Sequence, residues 1–199
     1  MPMQVVNLNC PGCGEPVDTS QPYCKYCGRK VLVSSFGALQ SLNPMELNRH
    51  MRTYQKADQE GDSQDVSKAL GLCQLKLKLF DKAASSFEKA CDENYEDSEV
   101  YYYQAVALLK GKKPFLHVRE EINKMMELIQ AASMIEPRGI YTYFMAYIKQ
   151  DYFARKCFNI SPNWQQELAN AKNTGIANGD VDMFVEMTGL QLPAELNIY

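Results

Sequence analysis

The sequence predicts a mainly α-helical chain, an array of antiparallel helical hairpins behind a small N-terminal module. Three observations predict it. Apolar residues recur at helical spacing from residue 43 onward, and capping residues separate the runs. Small and large side chains fall where paired helices must approach closely. Ahead of them, Cys10, Cys13, Cys24 and Cys27 form two CxxC pairs in a stretch too short to bury a core of its own.

Each CxxC turn can present two thiolates to one ion, and two such turns complete a closed tetrahedral S4 shell. A closed shell leaves no position for water or substrate, so the four cysteines read as ligands of one structural Zn2+. Gly14 and Gly28 follow the pairs, where a knuckle turn needs positive φ so that backbone amides can point at the sulfurs. The runs Cys10-Pro11-Gly12-Cys13-Gly14 and Tyr23-Cys24-Lys25-Tyr26-Cys27-Gly28 closely resemble the short zinc ribbons at the N-termini of many prokaryotic proteins. The resemblance covers roughly residues 8 to 33, and structural zinc would supply the folding free energy there, about 10 to 16 kcal/mol. Two disulfides are the competing reading. Met1 to Asn9 lacks the basic region and apolar stretch of a secretory leader, so a reducing, cytoplasmic setting is expected.

The chain has 199 residues, 46% of them hydrophobic, and no apolar run near the length needed to cross a bilayer. Its formal charge of -3 argues against a protein that holds nucleic acid by neutralising phosphates. Within the ribbon, Lys25, Arg29 and Lys30 only slightly outweigh Glu15 and Asp18. Cys73, Cys91 and Cys157 are expected as small buried hydrophobes. The expected division is a zinc ribbon over residues 1–33, a linker over 34–42 and one helical domain over 43–199.

Asn43-Pro44-Met45-Glu46 supplies an N-cap, a proline at the first helical position and a glutamate at the third. Leu47, Met51, Tyr54 and Ala57 then form one apolar stripe, and Gly61 ends the helix. Further helices are expected at about 64–78, 81–91, 98–110, 114–135, 139–158, 162–174 and 179–188. No stretch outside the ribbon alternates as a strand should.

Residues 64 to 95 resemble a tetratricopeptide repeat. With Gln64 first, Leu70 and Gly71 match the seventh and eighth positions, Ala83 the twentieth, Phe87 the twenty-fourth and Ala90 the twenty-seventh. Ser67, Gln74 and Tyr95 depart from the pattern. A second unit starts at Ser98, its second helix displaced by the loop Gly111-Lys112-Lys113-Pro114, and a third first-helix is placed from Ile140. The resemblance implies a stacked array whose first helices line a concave groove. Lys76, Tyr102, Val106, Lys110, Tyr141 and Phe144 fall on that face. Tyr102, Tyr141 and Phe144 would be aromatic anchors for a segment of another protein, with Lys76 and Lys110 setting its orientation.

Catalytic chemistry has little to work with. The chain has only two histidines, His50 and His117, on separate expected helices, and no HExxH, GxSxG or glycine-rich phosphate loop. The acidic run from Asp92 to Asp97 lacks calcium-loop spacing and reads as an inter-helix turn. The expected function is therefore binding, as a protein-interaction adaptor or accessory subunit and not an enzyme. The first alternative is a nucleic-acid-associated regulator, which needs Lys25, Arg29 and Lys30 to converge with Lys112 and Lys113. The second is an enzyme with an unfamiliar polar site.

Overall fold

The computed structural model describes residues 7–18, 21–60 and 64–198. The described chain is mainly helical. Asn7–Asn9 (β1) and Pro16–Asp18 (β2) pair antiparallel, with Leu8 opposite Val17. Such a short hairpin is not stable alone. A single bridge between Tyr23 and Lys30 closes the second cysteine turn in the same manner.

The first helix, α1, spans Pro44–Glu60. Asn43 Oδ1 accepts the amides of Met45 and Glu46 at 3.0 Å each, and the Glu46 carboxylate accepts the Asn43 amide at 3.2 Å. The capping box is thus complete. Gly61, the expected terminator, lies outside the described residues. Gln64–Lys76 (α2) and Phe80–Glu93 (α3) follow and pack on each other. Gly71 permits their close approach, because a Cβ there would sit 2.7 Å from the Phe87 ring. Where the repeat pattern lacks its aromatics, polar pairs stand instead: Ser67 donates to Asp58 at 2.7 Å and Ser86 to Gln74 at 2.8 Å. Both pairs satisfy groups that burial would otherwise leave costly.

Packing divides the chain into two compact units between Tyr95 and Glu96, not at residues 33 and 43. The end of the expected ribbon and the expected linker together explain the difference. Val31, Val33, Phe36 and Leu39 are all buried, and the Tyr54 hydroxyl of α1 donates to the Val31 carbonyl at 3.0 Å. The cysteine module is also tied to α1, where Arg49 donates to the Gly12 carbonyl at 3.1 Å and Arg29 pairs with Glu46 at 3.0 Å. Phe36 and Leu39 of residues 34–42 are therefore part of the first unit's core, and the cysteine module is docked on α1.

The second unit holds Ser98–Leu108 (α4), Arg119–Ile135 (α5), Gly139–Ile148 (α6), Trp164–Thr174 (α7) and Asn178–Thr188 (α8). Asp97 caps α4 by accepting the Glu99 amide at 3.0 Å. The helices pack α4 on α5, α5 on α6 and α6 on α7. Two boundaries differ from expectation. Pro114–Leu116 forms a separate 3-10 turn, because His117 and Val118 are extended and α5 starts only at Arg119. The buried His117 ring holds that break, with Nδ1 2.9 Å from Glu121 and Nε2 3.1 Å from the Leu109 carbonyl. After α6 the chain widens into a π-helical turn, Lys149–Ala154, and ends with Cys157 at φ 56 in place of a helix to residue 158. The π turn buries Tyr152 and Phe153 together and brings Asp151 to the Phe115 amide at 2.8 Å. Cys73 is buried as expected, Cys91 only half-buried, and Cys157 exposed because it lies on that outward turn.

Candidate metal centre and the fate of the expected groove

The two cysteine turns repeat one geometry. Cys10 N–H donates to the Glu15 carbonyl and Gly14 N–H to the Cys10 carbonyl; Cys24 N–H donates to Arg29 and Gly28 N–H to Cys24, all four at 2.8 Å. Gly14 and Gly28 stand at φ 84 and φ 70, where an L side chain would be strained. Each turn also aims amides at sulfur, as Gly12 N–H shows at 3.3 Å from Cys10 Sγ.

The turns face each other. Cys10 Sγ lies 3.6 Å from Cys27 Sγ and Cys13 Sγ 3.7 Å from Cys24 Sγ, and all four sulfurs lie within 4.8 Å of one another. A tetrahedral thiolate site with metal–sulfur bonds of about 2.3 Å has sulfurs about 3.8 Å apart. The cluster is therefore positioned to hold one metal ion. Thiol chemistry points the same way. Cys13 is pushed up to about 12: the Glu15 amide favours its thiolate, but desolvation and the neighbouring thiols outweigh that. Burial raises Cys10 as well. Burial also opposes ionisation of Cys24, yet the Cys27 and Tyr26 amides and the thiols of Cys10 and Cys13 bring it down to about 7. Four adjacent thiolates cannot coexist without a cation, so metal binding must release protons and weaken as pH falls.

Beside this centre, α1 buries His50. Tyr54 Oη donates to Val31, so it accepts from His50 Nδ1 at 3.1 Å, which places a proton on Nδ1. Burial first, and then the Arg29 charge, lowers the His50 pKa. A depressed histidine leaves stability intact above its unfolded value, and stability is lost as pH falls below about 6.5 because the unfolded chain takes the proton first. The thermal midpoint of His50→Asn should accordingly fall less between neutral pH and pH about 5 than that of the native chain. Parallel curves would rule out this contribution.

The residues expected to line a groove are brought together, but inside the second unit. Tyr102, Val106, Tyr141 and Phe144 are all buried, and Phe144 is 0% exposed. Ring centroids lie 5.1 Å apart for Tyr102 and Tyr141 and 6.2 Å for Tyr102 and Phe144. Phe184 of α8 covers them, 4.9 Å from Phe144, with Tyr143 and Tyr147 at 6.5 and 6.0 Å. As the molecule stands, the rings are core and offer no open face. Of the expected orienting lysines, Lys76 belongs to the first unit, its ammonium 5.3 Å from the Phe36 ring, and Lys110 lies in the turn after α4 in a left-handed conformation at φ 50.

Sequence reasoning passed over an exposed pair. Tyr23 and Tyr26 are 56% and 58% exposed on the second cysteine turn, with the Lys25 ammonium 5.0 Å from the Tyr26 ring. Their position was a usable signal, because a segment this small has no interior to receive two tyrosines. No protein-family model matches the chain, and no curated protein or solved structure matches it.

Proposed function

We propose that the chain is an intracellular adaptor or accessory subunit, in which one structural Zn2+ holds a ribbon that presents a protein-binding face. The observation that carries the reading is the four-sulfur cluster, with spacings that suit a closed tetrahedral shell. A closed shell stabilises and positions; it does not activate water. The helical pairs are read as tetratricopeptide-like hairpins, supported by the Gly71–Phe87 contact. Burial of Tyr102 and Phe144 moves the binding face away from that array and onto the ribbon, where Tyr23, Lys25 and Tyr26 are exposed. Tyrosine suits such a face because it offers large contact area at low entropic cost. The nucleic-acid reading is weakened by the pairing of Arg29 with Glu46, which leaves Lys25 and Lys30 as the ribbon's remaining cations.

Tyr23→Ala with Tyr26→Ala should abolish recovery of the protein partner in an affinity pull-down, with metal content and melting temperature unchanged. Undiminished recovery would remove the ribbon face from the account.

A further inference from the structure

The second unit is acidic overall, yet six of the ten lysines and arginines in residues 96–199 fall within 110–119 and 155–156. The structure brings these two stretches together. Asp151 accepts the Phe115 amide at 2.8 Å and pairs with Arg155 at 2.8 Å. The Arg155 guanidinium lies 4.3 Å from the Phe115 ring, and the Lys156 ammonium lies 5.2 Å from Phe115 and 3.8 Å from Tyr152. Arg119 lies 4.5 Å from Phe153 and 5.9 Å from Phe158. The loops are pinned by side-chain contacts, and they hold Leu116, Val118 and Phe158 outward at 68%, 59% and 49% exposed. Lys112 and Lys113 flank them, also exposed.

We propose that this end of the second unit is a contact surface for an anionic lipid bilayer, with Leu116, Val118 and Phe158 entering the headgroup region and the surrounding cations meeting the lipid phosphates. Charge and shape both select that occupant. Lys112, Lys113, Arg119, Arg155 and Lys156 outnumber the local carboxylates of Glu120, Glu121 and Asp151, and two of those three carboxylates are paired with Arg155 and His117. Apolar side chains this exposed stand out from the loops, which suits a diffuse apolar medium better than a peptide. Nucleic acid would use the cations but has no use for Leu116 and Val118, and of the rings beside those cations Tyr152 and Phe153 are buried and closed to stacking bases. An interfacial contact needs no spanning segment, and no helix of the described residues is long and apolar enough to cross a membrane.

The test is sedimentation of the full chain with vesicles of phosphatidylcholine containing about three-tenths phosphatidylglycerol, beside pure phosphatidylcholine. Binding should require the anionic lipid and fall at least about tenfold when salt is raised from about 0.05 to 0.5 M. Lys112→Glu with Lys113→Glu should cause a similar loss. Leu116→Ser with Val118→Ser should also weaken binding by about tenfold or more, and serine at the 118 N-cap position favours α5, so unfolding would not explain the loss. The proposal is overturned by failure to bind either vesicle, by equal binding to both, by anionic binding indifferent to Leu116 and Val118, or by capture of single-stranded oligo(dT) without vesicle binding.

Discussion

Replacing Cys24 and Cys27 with serine is expected to abolish metal binding and to unfold the ribbon, with damage extending into the first helical unit. A structural zinc held there would supply folding free energy on the order of 10 kcal/mol, because the two short turns have almost no apolar area of their own. The damage spreads because Val31, Val33 and Phe36 continue directly from the second turn into the interior, and Tyr54 of α1 donates to Val31. Deleting residues 1–33 should therefore lower the stability of the first unit, where independent modules would leave it unchanged. The second unit should keep its own transition. Circular dichroism and amide exchange on the double variant check this: protection lost in α1 and retained in α6 is the expected pattern.

Phe144→Ala is expected to destabilise the second unit by about 3 to 5 kcal/mol, the range for truncating a fully buried phenylalanine. Phe144 touches Phe184 and Tyr102, so the cavity opens among rigid rings that cannot close over it. Tyr102→Phe should do the opposite or nothing. The Tyr102 hydroxyl is buried with no hydrogen-bond partner among the described residues, so its removal relieves a desolvated donor and loses no contact. Denaturant unfolding of the two variants separates a ring that packs from a ring that binds. A stable Phe144→Ala protein would return these rings to the surface.

What the sequence made legible follows from how local each signal is. The paired cysteines and their glycines specify their own geometry within a few residues, so the cysteine cluster and its turns could be read directly. The α1 cap was legible for the same reason, since Asn43 and Glu46 satisfy each other. Gly71 and Phe87 were legible as a close approach because the small residue has no other use there. The break at His117 was not, since it depends on a bond to Leu109 across a turn. The π turn was hidden as well: Lys149 to Phe158 reads as ordinary helix until Asp151 is seen to serve Phe115. Tyr102 and Phe144 misled because a helical face gives the same spacing whether another molecule or the chain's own α8 covers it. Residues 34–42 read as a linker because so short a segment does not show by itself what its apolar residues pack against, and Phe36 and Leu39 turned out to be core.

The most direct test is metal content combined with sulfur coordination, measured on protein purified without chelator by elemental analysis and X-ray absorption at the metal edge. The proposal of a structural site predicts one zinc per chain with four sulfur neighbours at about 2.3 Å. Less than about half an equivalent of zinc, or a shell containing oxygen or an open position, would contradict it.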